Sequence, residues 1–190
     1  MTNEYFVRTI KHTDMVKNMI ETNRCQLVEL QEADYEDVKK LYSDLKVREF
    51  LGGPVSEEVY REKFKKMLIS ESFQIYWVIR QKDSSLFVGL ISLDLHHDGV
   101  STEVSYQLLP EWWGKGYATE AVKEVIRYAF EELRLTKLIA ETQTANISSC
   151  KLLERVGMKL EQKVQRFGAE QAVYAIYNTP SKGVKQKNSW

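Results

Sequence analysis

Thr102-Glu-Val-Ser-Tyr-Gln-Leu-Leu-Pro-Glu-Trp-Trp-Gly-Lys-Gly-Tyr-Ala-Thr-Glu-Ala121 is the stretch on which the reading of this chain turns. Thr102 to Leu109 reads as a strand, and Pro110 ends it. From Gly116 to Leu133 the apolar positions Ala121, Val122, Val125, Ile126, Ala129, Phe130 and Leu133 recur at helical spacing. Between strand and helix lies Trp113-Gly114-Lys115-Gly116-Tyr117-Ala118, a GxGxA turn. Its backbone N–H groups, with the unpaired donors of the helix's first turn, form a natural cradle for a pyrophosphate. Gly114 and Gly116 allow close backbone approach, Ala118 keeps the crossing tight, and Lys115 adds charge. A plain strand-to-helix turn with a solvated lysine fits the same residues. Two other phosphate sites are excluded by pattern: there is no GxxxxGK[ST], and Thr119 stands where a dinucleotide fingerprint has its third glycine.

Outward from the turn, Lys137 to Thr144 is a strand, which completes a strand–turn–helix–strand crossover. Ser148 to Val156 is a short helix stopped by Gly157, and Val173 to Tyr177 is a last strand. Upstream, Gln74 to Arg80 and Leu86 to Leu95 are strands, with turns at Asp83-Ser-Ser and His96-His-Asp-Gly. Gln26 to Leu30 alternates like a half-buried strand. Glu32 to Leu45 is helical with Ala33, Val38, Leu41 and Leu45 on one side. Gly52-Gly53-Pro54 breaks the chain, and Ser56-Glu-Glu opens a second helix through Met67, its acids suiting the dipole of the first turn. The first twenty residues are weakly amphipathic (Ile10, Met15, Met19, Ile20) and read as an extension with helical spacing. The order is that of an α/β layered domain.

With 190 residues the chain suits one domain. Its 27 basic and 27 acidic residues balance, so no basic excess points to nucleic acid. Its two cysteines, Cys25 and Cys150, are too few for a disulfide framework. No apolar run is long enough for a membrane span, and Met1 to Ile20 has no signal-peptide core. A reducing cytoplasm is the simplest compartment.

Glu103-Val-Ser-Tyr106, Pro110 to Ala121, Tyr128-Ala-Phe130, Asn146-Ile-Ser-Ser149 and Leu153-Glu-Arg-Val-Gly-Met158 occur in one order along the chain. In these segments the sequence resembles the GNAT superfamily of acetyl-CoA-dependent N-acetyltransferases, particularly its RimJ/RimL-like branch, from Asn23-Arg24-Cys25-Gln26-Leu27 to about Asn178. The resemblance implies a mixed, mostly antiparallel central sheet flanked by helices, with splayed strands forming a wedge for acetyl-CoA. It implies an extension over residues 1–20, an N-acetyltransferase domain over 21–178 and a tail over 179–190. The backbone of Gln107, Leu108 and Leu109 would pair with the pantetheine arm. One amide there would polarise the thioester. Trp113, Gly114, Lys115, Gly116, Tyr117, Ala118 and Thr119 would surround the pyrophosphate, and Asn146 would hold the arm.

Glu103 matches a frequent acidic position of the family, and a carboxylate in a partly apolar cleft has its pKa raised toward that of a useful base. It would take the amine proton directly or through water; an exposed strand carboxylate is the plain alternative. Asn146 also suits a helix cap. Leu153 stands where many members carry a tyrosine acid, which leaves Ser149 to protonate the thiolate or to position a water. Ser105, Met158 and Gln171 depart from frequent glycine, phenylalanine and aspartate positions, the last before the final strand. The implied acceptor is an amine: a protein N-terminus of ribosomal type, or a small amine such as a polyamine or aminoglycoside. Glu57, Glu58 and Glu62 near the acceptor side would attract a cation or form a solvated face. No metal is expected, since His96-His97 reads as a turn-tip pair without further ligands at metal spacing. Cys150 lacks a local histidine to activate it, and the tail lysines read as mobile. Monomer and homodimer both remain open, as does a non-catalytic acyl-CoA-binding module.

Overall fold

A computed structural model describes residues 19–69 and 74–178; the helical extension before Met19 and the lysine tail lie outside the described residues. Alternating strand patterns produce β1 (Met19–Glu21), β2 (Cys25–Glu29), β3 (Ile75–Gln81), β4 (Phe87–Leu95) and β5 (Thr102–Leu108). After the crossover come β6 (Lys137–Gln143), β7 (Lys159–Arg166) and β8 (Ala169–Tyr177). The helices are α1 (Tyr35–Ser43), α2 (Glu57–Leu68), α3 (Tyr117–Glu131) and α4 (Ile147–Arg155). The strands form one eight-stranded sheet in the order β1-β2-β3-β4-β5-β6-β8-β7. All neighbours are antiparallel except β5 and β6, the parallel pair joined through α3.

The period-two alternation divides the side chains between two layers. Trp77, Ile91, Leu93, Val104 and Leu108 pack with Val122, Val125 and Ala129 of α3, and Trp77 meets the Tyr128 ring edge-on at 5.5 Å. On the other face Val78 and Leu90 pack with Val38 and Leu41 of α1 and with Tyr60 and Phe64 of α2. The Ser56 hydroxyl accepts the Val59 N–H and caps α2. Gly157 ends α4 in the left-handed region at φ 93°.

The parallel pair is the unusual element. β6 pairs with β8 along its whole length, from Lys137–Tyr177 to Gln143–Gln171, but meets β5 at one register position, Glu103–Ile139. Beyond that point the two strands part. This is the splay implied by the family resemblance.

Several elements differ from the sequence reading. Met19 and Ile20, assigned to the helical extension, sit in edge strand β1, with Ile20 buried against the core. A short 3-10 turn, Glu32–Asp34, precedes α1. α1 stops at Ser43 because the Asp44 carboxylate accepts the Lys46 and Val47 N–H groups. Leu45 is therefore 75% exposed, and Val47 takes the core position. Ala33 is exposed too. β7 was not expected: Lys159-Leu-Glu-Gln-Lys-Val-Gln-Arg166 has few apolar residues because as an edge strand it is mostly exposed. β8 begins at Ala169, so Gln171 lies within the last strand, buried, its Nε2 donating to the Arg166 carbonyl at 3.1 Å. No helix among the described residues is long and apolar enough to cross a membrane.

Gly89 fixes how closely β4 approaches the splayed strand. A Cβ there would stand 2.2 Å from the Gln107 carbonyl oxygen and 2.9 Å from the Leu108 Cα. Gly89→Ala is expected to push β5 out of place, lowering stability by about 1–3 kcal/mol and weakening stabilisation by acetyl-CoA in thermal melts. An unchanged melting temperature and an unchanged acetyl-CoA response would show that β5 yields freely.

Candidate active site

The glycine turn is built as an open cradle. Gly114 and Gly116 both lie at positive φ, 70° and 85°, and Gly116 is the N-cap of α3 with no side chain to satisfy the helix's first donors. The first-turn N–H groups of Tyr117, Ala118 and Thr119 thus lack an i−4 carbonyl inside the helix, and a Cβ on Gly114 would meet nothing within 4 Å. Lys115 is exposed, with its Nζ 5.6 Å from the Trp112 ring centroid. Tyr117 contributes backbone only: its ring is buried edge-on to Trp112 at 5.2 Å, and its hydroxyl accepts from Gln81.

Arg24 holds this turn, a role not legible in the sequence. Its Nη1 donates to the Lys115 carbonyl at 3.0 Å, and its guanidinium lies 4.2 Å from the Tyr117 ring centroid. Its Nε and backbone N–H both donate to the Glu120 carboxylate, at 2.8 and 2.7 Å, and Thr22 donates to the same group. Although burial pushes the other way, these partners hold Glu120 below the usual carboxylate range. The acid in the first turn of α3 is thereby paired with a cation.

Along β5 the alternation of the antiparallel ladder decides which backbone groups are free. The Leu109 N–H donates to Val88 at 3.0 Å and so points to β4; by alternation Gln107 does the same. Tyr106 and Leu108 turn their backbone toward the splay. The Leu108 carbonyl already accepts the Trp113 indole N–H at 2.7 Å. The groups facing the wedge are therefore those of Tyr106 and the Leu108 N–H, in place of the continuous run from Gln107 to Leu109 that the resemblance implies.

Glu103 sits at the root of the splay, its carboxylate accepting the Glu141 N–H at 3.2 Å. Burial pushes its pKa up to about 7, against the lowering effects of that hydrogen bond and of His96; Glu141 and Asp94 raise it further. Glu103, Ser105 and Gln107 share the α1–α2 face with their cross-strand partners Asp94, Ser92 and Leu90. That face holds a cavity of about 400 Å³, lined by Tyr42, Tyr76, Ser92, Asp94, Ser105 and Gln107 among others.

On the opposite face Tyr106 reaches α4. Its hydroxyl is 2.8 Å from Ser149 Oγ, and burial raises its pKa to about 12. Asn146 Oδ1 accepts the Ser149 N–H at 3.1 Å and caps α4, so the capping reading of this asparagine holds. Leu153 is buried in the core. The hydroxyl beside Ser149 comes instead from β5, four positions before the glycine turn's aromatic approach begins at Pro110. Cys150 is half-buried with its Sγ toward the Gln143 carbonyl.

His96 is not a turn tip. It is buried, its Nε2 lies 2.7 Å from the Glu141 carboxylate, and its Nδ1 accepts the Asp98 N–H at 3.3 Å. The ligand atoms of His96, His97 and Glu141 lie within 4.8 Å of one another. Both His96 nitrogens are engaged, however, and Glu141 also pairs with Arg166 at 3.0 Å, which makes this a charge network supporting the Glu103 strand. Glu57 pairs with Lys39 and accepts from Tyr35, and Glu62 pairs with Lys65. These acids lie on the outer face of α2, and none of them lines the cavity.

A sheet opened between two parallel strands, a glycine turn capping a helix at its mouth and a high-pKa carboxyl at its root define an N-acetyltransferase that uses acetyl-CoA. The chain belongs to the acetyltransferase (GNAT) domain family, whose model matches residues 24–159. It is 25% identical over 154 residues to the uncharacterized N-acetyltransferase YoaA of Bacillus subtilis, covering 78% of this chain and 87% of that one. It is 36% identical over 85 residues to the FsC-acetyl coenzyme A-N(2)-transacetylase of Aspergillus fumigatus, covering 45% of this chain but 32% of that longer protein. The fold is shared with a spermidine N-acetyltransferase from Vibrio cholerae in complex with CoA and spermine, at TM-score 0.70 and 18% identity over 81% of this chain and 95% of that one. It is shared equally with a ribosomal-protein-S5-alanine acetyltransferase from Vibrio fischeri, at TM-score 0.70 and 17% identity over 88% and 100%.

The raised pKa of Glu103 has a stability consequence. A carboxyl whose folded pKa of about 7 exceeds its ordinary 4.5 stabilises the fold at low pH, and that contribution is lost as pH rises through the folded value. Glu103→Gln removes the titration. The melting temperature of the variant relative to the parent is expected to rise between pH 5 and pH 8; a difference independent of pH would show that Glu103 ionises normally.

Proposed function

We propose that the chain transfers acetyl from acetyl-CoA to a primary amine by direct attack in a ternary complex, with the N-terminal amine of a protein as acceptor. The observation that carries the mechanism is Glu103, a half-buried carboxyl whose pKa desolvation pushes up to about 7, on the face that also holds the cavity. In this reading Glu103 takes the amine proton, directly or through one water. A wedge-facing amide of β5, from Tyr106 or Leu108, donates to the developing oxyanion. Ser149 donates to the departing thiolate, and the Tyr106 hydroxyl orients it. Donor binding rests on the backbone around Gly114 and Gly116, with Lys115 adding charge and Asn146 steadying the arm from its cap.

The protein N-terminus is supported by the RimJ/RimL-like motifs and by the ribosomal-protein acetyltransferase that shares the fold. The second reading, a small amine, is supported by the modest cavity, which suits one small molecule. We place the catalytic unit at residues 21–178, with Met19 and Ile20 joining it through β1. A reducing cytoplasm suits its free thiols.

Glu103→Gln is expected to lower kcat/KM for the amine by roughly 10²- to 10³-fold and to abolish the rise of the pH–rate profile near pH 7. Acetyl-CoA binding should persist. A retained profile would assign the base elsewhere. Ser149→Ala and Tyr106→Phe should each lower kcat by about tenfold with little change in the acetyl-CoA KM. Full activity in both variants would mean that solvent protonates the thiolate.

A further inference from the structure

The acceptor cavity carries a charge pattern that narrows the amine it takes. Its floor is rich in hydrogen-bond acceptors. Asp94 is half-buried, with its carboxylate accepting from Tyr76 Oη and Ser92 Oγ at 2.7 Å each, and desolvation raises its pKa. Gln107 lines the cavity with its side chain against the Tyr42 hydroxyl, and its buried Oε1 has no hydrogen-bond partner among the described residues. An orphaned buried carbonyl costs free energy unless a donor reaches it, and an amine or amide N–H of a substrate is such a donor.

The mouth has the opposite character. α2 contributes Lys63 and Lys66 to the lining, and neither has an ion-pair partner among the described residues. Arg48 stands behind Tyr42, its guanidinium 5.4 Å from that ring's centroid. Arg48 is buried and bonds to the carbonyls of Leu51 and Gly53, with no carboxylate partner among the described residues. The cavity thus presents one half-buried carboxylate, Asp94, and three cations around or behind its rim. A polycation would find two lysines at the mouth.

We propose that the acceptor is an amine carrying an anionic group on its non-reacting part: an amino-acid-like amine, or a peptide N-terminus with an early acidic residue. This rests on the amine-acetyltransferase reading and adds the substrate class. The nitrogen enters toward Asp94 and Glu103, its neighbouring N–H donors satisfy Gln107, and the anion is held by Lys63 and Lys66.

The test follows CoA thiol release from acetyl-CoA with four acceptors: glutamate, a peptide with an acidic second residue, the same peptide with alanine there, and spermidine. The acidic acceptors are expected to exceed the alanine peptide and spermidine by roughly tenfold or more in kcat/KM, with an advantage that shrinks as ionic strength rises. Glutamate against the acidic peptide separates the two sources of the same chemistry. The double variant Lys63→Glu/Lys66→Glu should reverse the preference, and its thermal stabilisation by acetyl-CoA checks that the fold is intact. Faster turnover of spermidine or the alanine peptide by the parent, or a preference unmoved in the double variant, would overturn the proposal while leaving the acetyltransferase reading in place. No thiol release with any of the four, or with a wider amine panel, would sink that reading instead.

Discussion

The site depends on one constraint: β5 and β6 meet at Glu103 and Ile139 and nowhere beyond. A parallel pair in a continuous sheet would consume the backbone groups of both strands. Here α3 and the glycine turn carry the chain across, and the strands separate once past the bridge. The separation leaves N–H and C=O groups of β5 facing a cleft. Glu103 spans its root, because the Glu141 N–H that would otherwise seek a strand carbonyl is met by the Glu103 carboxylate. Desolvation there raises the pKa of the carboxylate, against the lowering effect of that hydrogen bond.

Each end of the cleft handles its charges differently. At the glycine turn, a carboxylate that would oppose a phosphate is neutralised at short range by Arg24. At the root, negative groups are concentrated: Glu103, Asp94 and Glu141 lie near one another, with His96 and Arg166 pairing only the last. Desolvation is the main cause of the raised pKa of Glu103, and the charges of Glu141 and Asp94 add to it. Glu141 meets His96 and Arg166, Asp94 meets two hydroxyls, and Glu103 meets the Glu141 N–H.

The fold was legible in the sequence wherever burial imposes a period. The meander, the crossover helix and the glycine turn all fall where alternation or helical spacing placed them. β7 escaped because an edge strand exposed on most of its residues needs no apolar alternation, and β1 because three residues carry too little pattern. Leu45 misled because the Asp44 side chain, a local hydrogen-bonding choice, ended the helix before the apolar stripe did. Glu103 and the turn could be read from motifs. Arg24, Tyr106 and His96 could not, since each acquires its part through a partner far along the chain: Lys115, Ser149 and Glu141.

The period of two along β5 also bears on how transfer proceeds. Glu103, Ser105 and Gln107 face the α1–α2 layer, while Tyr106 and Leu108 face α3 and α4. The proposed base and the proposed thiolate donor are thus on opposite faces of a single strand, with the backbone of that strand between them. An amine arriving over Glu103 and a sulfur leaving toward Ser149 approach the same carbonyl from opposite sides. A covalent acyl-enzyme would need a nucleophile between those faces. The nearest thiol, Cys150, is half-buried on α4, turned toward the Gln143 carbonyl and the Tyr174 hydroxyl, with no histidine beside it among the described residues. The proposed direct transfer fits this geometry, since Glu103 and the Tyr106–Ser149 pair stand on opposite faces of β5.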